Sequence, residues 1–235
     1  MDKTFSSLAG AVADIPDGAS IMIGGFGGSG APIELIHALI DQGARDLTVI
    51  NNNAGNGHVG LAALIEQGRV RRLICSFPRS ADPTVFNNFY KAGKIELEIV
   101  PQGTLAERIR AGGAGIPAFY TPTSYGTDLA EGKPVEEFEG RHYVRERWLK
   151  ADYALVKAEC ADPHGNLMFR MAARNFNPVM AMAARRSIVQ ARRIVPLGGI
   201  DPEHVVTPGI FVDAVVEVTD PAQEEVLNRE GAVYP

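Results

Sequence analysis

Cysteine is scarce. Cys75 and Cys160 are the only two in the 235-residue chain, far apart and in no CxxC pair. This excludes a disulfide scaffold and fits a reducing compartment, so a cytoplasmic protein is expected. No apolar run approaches the 18 residues of a membrane span, so no membrane association is expected. Met1-Asp2-Lys3-Thr4-Phe5 leads into a segment broken by Asp14 and Pro16, with no signal-peptide core. Basic excess is also missing. Lys and Arg number 23 against 28 Asp and Glu, for a net charge of −5. No general nucleic-acid surface is expected from an acidic chain, although a local basic pocket for an anion is compatible with it. The five histidines, His37, His58, His142, His164 and His204, have no HxxxH or HExxH spacing, so no metal is expected. Gly93-Lys94 is followed by Ile95 rather than Ser or Thr, which removes a P-loop. Ala31 stands where a GxSxG motif around Ser29 needs its second glycine.

What remains is an ordinary globular composition, 46% apolar and 22% charged. A chain this long buries about 70–75% of its unfolded surface and needs no metal or disulfide to fold. Glycine stands out, with 25 residues against a typical usage of about 7%.

Short apolar runs alternate with helical patterns. Strands are expected at Ser20–Ile23, Leu47–Ile50, Leu73–Phe77 and Ile95–Val100, the last half-exposed and edge-like because acids alternate with apolar residues. Helices are expected at Pro32–Gln42, Gly60–Gln67, Pro83–Lys91 and Thr104–Arg110. Pro32 suits a first helical turn, and Gly43 a stop. Further on, Gly112–Gly126 reads as Gly/Pro-rich and Glu131–Glu139 as turn-like. Strands follow within 141–158 and 166–170, a helix at Pro178–Arg185, and a late strand at Ile210–Val218. Strand–helix alternation at this spacing predicts an α/β fold, a mostly parallel sheet flanked by helices on both faces. No repeat or linker divides the chain, so residues 1–235 are expected to form one domain. The tail 219–235, with four acids and one base, is expected to fray or to form a surface helix.

The segment Gly25-Phe26-Gly27-Gly28-Ser29-Gly30 matches GxGxxG between a strand and a helix. A dinucleotide-binding oxidoreductase is one reading. The next strand, however, ends in Asn51-Asn52-Asn53, three amides where ribose recognition uses a carboxylate. A tight turn with no ligand is a second reading. Backbone N–H groups facing an anion or acyl oxygen are a third.

The wider context resembles family I coenzyme A transferases. Asp17-Gly18, three apolar residues Ile21-Met22-Ile23, Gly24-Gly25-Phe26 and Gly30-Ala31-Pro32 follow that family's first signature. Asn52-Asn53-Ala54-Gly55, the run Pro101 to Gly115, Pro117 to Thr123 and Ala172 to Asn177 are also similar to family stretches. The likeness covers about residues 5 to 218 and is to the A (alpha) subunit of 3-oxoacid CoA-transferases. Cys75-Ser76-Phe77-Pro78-Arg79 and Val179 to Ala184 look most like the 3-oxoadipate:succinyl-CoA enzymes of aromatic-compound breakdown by the beta-ketoadipate pathway.

This resemblance implies the family I fold and a ping-pong exchange of CoA from succinyl-CoA to a 3-oxoacid through a glutamyl-CoA thioester. CoA would be substrate and covalent intermediate, with no permanently bound cofactor. In the family the nucleophile sits in a Glu-Asn-Gly type motif of the B subunit. This chain has no Glu-Asn pair, and Glu34, Glu66 and Glu107 lie on predicted helices. No catalytic residue is assigned here, and a B-subunit partner is expected, in a heterodimer or heterotetramer. Asn52, Asn53 and Gln102 match positions that bind the substrate carboxylate, and amides donate there without adding charge. The glycine loop, Gly24, Gly25, Phe26, Gly27 and Gly30, is expected near the acyl centre or CoA. Arg79, just after a strand, is the candidate cation for a second carboxylate. Acetoacetate or another 3-oxoacid is the alternative acceptor. A non-catalytic module that keeps the fold is a further alternative.

Overall fold

The computed structural model describes residues 1–235. The elements run β1 (Thr4–Phe5), α1 (Leu8–Val12), β2 (Ser20–Ile23), α2 (Ile33–Gln42), β3 (Leu47–Ile50), α3 (Leu61–Glu66), β4 (Val70–Cys75), α4 (Thr84–Lys91), β5 (Glu96–Ile99) and α5 (Gln102–Ala114). Then come β6 (Ala118–Thr121), β7 (Val135–Phe138), β8 (Arg141–Arg147), β9 (Ala151–Ala161), β10 (Leu167–Met168), α6 (Asn177–Ala183), β11 (Ala184–Ile194), β12 (Ala214–Glu217) and α7 (Glu224–Arg229).

The main sheet has the order β1-β12-β11-β9-β2-β3-β4-β5. Every pairing along it is parallel, and only β10 joins β9 antiparallel. Buried side chains alternate between its faces, as a doubly covered sheet requires. Ile21, Ile23, Leu47, Val49, Leu73 and Cys75 enter one core with α1, α2, α3 and α4. Met22, Ile50, Ile74, Val156 and Val189 enter the other with α5 and α6. Helix α2 buries Ile33, Leu35, Ile36, Leu39 and Ile40, a helical stripe. It ends at Gly43, whose φ of 101° is open to glycine and whose N–H bonds Leu39.

From β2 the chain runs outward through β3 and β4 to β5, which forms the expected edge. It then returns to the other side of β2 with β9 and runs the opposite way through β11 and β12. The β2–β9 boundary is therefore where the strand order reverses, and open α/β sheets bind ligands beyond the strand ends at such a point.

Four local expectations change. The helix expected at Pro178–Arg185 ends at Ala183, and Arg185 belongs to β11, an eleven-residue strand not anticipated from the sequence. Glu131–Glu139 contains β7, which with β6 and β8 makes a small antiparallel sheet in the order β6-β8-β7. Helix α5 runs on through Gly112-Gly113, and the missing side chains leave room for the Leu149 carbonyl and for Met182. The late strand shortens to β12, its first residues forming a 3-10 turn at Gly209–Phe211.

The tail is tied down. Glu34 of α2 accepts from the Ala222 N–H, and the Tyr234 N–H donates to the His58 carbonyl at 3.1 Å. The Tyr234 ring meets His37 edge-on at 4.9 Å. No helix is long and apolar enough to cross a membrane.

Candidate active site

Four loops meet beyond the carboxyl ends of β2, β3, β4 and β5, and α7 closes one side. Together they enclose a cavity of about 510 Å³. Phe26, Gly27, Asn52, Asn53, Arg79 and Gln102 all line it. Six of the nine residues singled out in the sequence therefore share one cavity. Gly24, Gly25 and Gly30 do not line it.

Those three glycines shape the loop from behind. A Cβ on Gly24 would lie 1.9 Å from Asn177 Oδ1. Asn177 is fully buried. It accepts from the Lys157 N–H at 3.1 Å and donates to the Gly30 and Ala173 carbonyls at 3.1 and 2.8 Å. It thus joins β9 to the loop after β2. Gly30 lines a neighbouring cavity of about 330 Å³ with Lys157, Arg170 and Arg192.

The loop's amides divide into two sets. Phe26 and Ser29 exchange N–H to carbonyl bonds of 3.0 and 3.2 Å, and the Gly25 N–H reaches Asn175 Oδ1 at 3.2 Å. The Gly27 and Gly28 N–H groups donate to nothing within the chain, and both residues line the cavity. A closed turn with two free donors differs from a pyrophosphate cradle, which presents a run of amides at a helix N-terminus.

The asparagine triplet serves both structure and site. Asn51 Nδ2 donates to the Ile23 carbonyl at 2.7 Å, linking the ends of β3 and β2. Asn51 Oδ1 and Asn53 Oδ1 accept from the N–H groups two residues on, at 2.8 and 2.9 Å, as Asx turns. Asn52 Oδ1 accepts from Gln102 Nε2 at 2.9 Å and Ser76 Oγ at 2.7 Å. These bonds fix the amide of Asn52 so that its Nδ2 is the free end. Gln102 opens the thirteen-residue α5, so that helix's partly positive end also faces this edge.

Arg79 is exposed and forms no ion pair or hydrogen bond. Its loop is held to the β3 loop by the Asp82 N–H on Asn56 Oδ1 at 2.7 Å and the Gly57 N–H on the Asp82 carbonyl at 3.0 Å. The cavity thus combines one uncommitted cation with several fixed neutral donors. That set can hold an acyl carboxylate together with a second anionic group.

Sequence reasoning missed Glu224, Glu225 and Asn228 of α7, together with Asn56 and Ser80, which line the same cavity. No motif marks α7, and only the folding back of the tail brings it here. Glu224 is 5% exposed. Burial pushes its carboxyl up to about 7, against the opposing pull of the Asn56 backbone N–H. Asn228 Oδ1 and Ser80 Oγ are buried without a partner. No group of three or more His, Cys, Asp or Glu side chains is gathered as a metal site.

A family model, coenzyme A transferase, matches residues 5–218. The chain is 58% identical over 228 residues to the A subunit of 3-oxoadipate CoA-transferase from Pseudomonas putida, covering 97% of this chain and 99% of that one. It is 53% identical to the A subunit of succinyl-CoA:3-ketoacid coenzyme A transferase from Xanthomonas campestris, covering 96% and 92%. Among solved structures, an acyl-CoA transferase from Escherichia coli O157:H7, in a thioester complex with CoA, superposes with a TM-score of 0.80 at 23% identity. That match covers 94% of this chain and 48% of the other, so the chain spans about half of that protein's length, and at this identity the likeness concerns the fold.

Proposed function

Because the chain belongs to the coenzyme A transferase family, we propose that it is the A subunit of an enzyme moving CoA from succinyl-CoA to 3-oxoadipate. The observation that carries this reading is the cavity itself. It pairs the uncommitted Arg79 guanidinium with the free N–H groups of Gly27, Gly28 and Asn52, which suits an acyl group bearing a second carboxylate. The names of the relatives similar over nearly their whole length support the same reading.

The exchange requires a nucleophile. With no Glu-Asn motif in this chain, it belongs to a B-subunit partner. In the proposed sequence, that glutamate attacks the thioester carbonyl of succinyl-CoA. The C–S bond breaks, CoA leaves as thiolate, and a mixed anhydride remains. The thiolate then attacks the glutamyl carbonyl, forming the glutamyl-CoA thioester and releasing succinate. The acceptor carboxylate repeats both steps in reverse. Each tetrahedral intermediate carries an oxyanion, and the fixed donors of this chain stand ready to receive it without reorganising. The complex is a cytoplasmic heterodimer or a heterotetramer of two such pairs.

A 3-ketoacid such as acetoacetate is the second reading, supported by the 53% identical relative. The two differ in the need for a cation, which Arg79 supplies to a dicarboxylate and a monocarboxylate would not use. The test is to co-express the chain with a B-type partner and assay succinyl-CoA with 3-oxoadipate, acetoacetate and acetate. Activity should require the partner and be highest with 3-oxoadipate. Robust transfer by the isolated chain would overturn the placement of the nucleophile. A preference for acetoacetate would favour the second reading.

A further inference from the structure

Glu224 has no role in the scheme above, yet its carboxyl is buried against the cavity wall. Its surroundings give it one backbone donor, the Asn56 N–H, and no side-chain partner. The glycine loop brings no charge to it, and Gly28 packs directly against the start of α7. From the β3 loop, His58 is engaged by Glu66 at 3.0 Å. From α2, Glu34 is held by Gln190 and Ala222, Asp41 by Tyr234, and His37 Nε2 accepts the Gly60 N–H at 3.0 Å, which keeps that ring neutral. From the β4 loop, Asp82 accepts the Thr84 N–H at 3.1 Å and Arg79 pairs with no carboxylate. On α7 itself, Glu225 and Arg229 pair with each other. No cation contacts the Glu224 carboxyl, and no side chain donates to it.

An ionised carboxylate at this depth, with a single backbone N–H and no cation, is unfavourable. It would also repel a dicarboxylate entering the cavity. A protonated one adds a donor where the cavity holds buried polar atoms without partners, Asn228 Oδ1 and Ser80 Oγ. We propose that Glu224 holds its proton while a dicarboxylate acyl group occupies the cavity, and donates an O–H hydrogen bond to a carboxylate oxygen of that substrate. Arg79 and Glu224 then form a charged and a neutral donor lining the same cavity, which makes Glu224 a specificity-determining residue. For the acceptor, this rests on the 3-oxoadipate reading.

The experiment uses the complex with its B-type partner and follows KM for 3-oxoadipate and acetoacetate from pH 6 to pH 9. Burial puts the Glu224 carboxyl at about 7, so the wild-type KM for 3-oxoadipate should be level below that and rise about tenfold per pH unit well above it. The acetoacetate KM should change little. Glu224→Gln keeps a donor and cannot ionise, so its KM for 3-oxoadipate should stay level across the range. A Glu224→Gln profile that follows the wild type overturns the proposal.

A second measurement needs no variant. Calorimetric titration of the wild-type complex with succinate at pH 8, in buffers of different ionisation enthalpy, should register uptake approaching one proton per site. Zero uptake overturns the proposal. If 3-oxoadipate accepts no CoA at any pH while acetoacetate does, the acceptor reading fails, and proton uptake with succinate still decides the role of Glu224.

Discussion

Gly24 has no space for a methyl group. Its missing Cβ is the point where Asn177 Oδ1 sits, and Asn177 is fully buried. Gly24→Ala must displace that amide, which breaks bonds to Lys157, Gly30 and Ala173 in one step. Leaving such groups unpaired in the interior should destabilise the chain by about 2–4 kcal/mol. Urea unfolding measures this, and a wild-type midpoint would contradict it. Arg79 makes the opposite kind of prediction, because it is exposed and forms no hydrogen bond or ion pair within the chain. Arg79→Ala should leave stability unchanged and raise KM for 3-oxoadipate by about tenfold or more, the worth of a charged hydrogen bond. The KM for acetoacetate should move little. Equal effects on both acids would remove Arg79 from the site.

Strand β11 explains why part of the fold was not legible. Its sequence, Ala184 to Ile194, has an arginine pair one residue in from each end and carries Ser187 and Gln190 in its buried middle. An apolar-run criterion passes over such a strand. The polar positions are tolerated because each finds a partner: Ser187 Oγ donates to the Ala181 carbonyl at 2.8 Å, and Gln190 Oε1 accepts the Leu35 N–H at 3.1 Å. Strand β7 was hidden for another reason, since both its faces are exposed and no alternation marks it. Strands β2, β3 and β4 were legible because each alternates between two apolar cores. Helix α7 adds a pH dependence. An unfolded glutamate titrates near 4.5 and the docked Glu224 near 7. Below 4.5 both states hold the proton. As pH rises from 4.5 to 7 the undocked state ionises first, so docking weakens, by about 3 kcal/mol in total. Amides of α7 should therefore exchange faster at pH 8 than at pH 6 after correction for the intrinsic rate. Glu224→Gln should remove the difference, and its persistence in that variant would assign it to another group.

Taken whole, the molecule places its family-like loops at one edge because the strand order reverses beside β2, and that is why the sequence pointed to this cavity. It could not reveal that the tail crosses back to line the same cavity. The edge is also unusually apolar for a solvent surface. Phe26 is 50% exposed and Phe77 57% exposed at the cavity, and Met171 is 84% exposed at the adjoining one. Met171 also adopts a φ of 49°, a left-handed conformation that a non-glycine side chain holds at some strain. Large apolar side chains held out around a cavity are what a partner surface requires. Under the heteromer reading, the B subunit covers this rim. Met171→Asp should then weaken binding of the B-type partner by about tenfold or more, since it places a charge in the covered region. The melting temperature of the isolated chain should stay within about a degree, because the side chain packs against little in the free protein. Titration calorimetry of the two chains reads the first effect and thermal unfolding the second. Undiminished affinity would move the interface away from this edge, and the nucleophile with it.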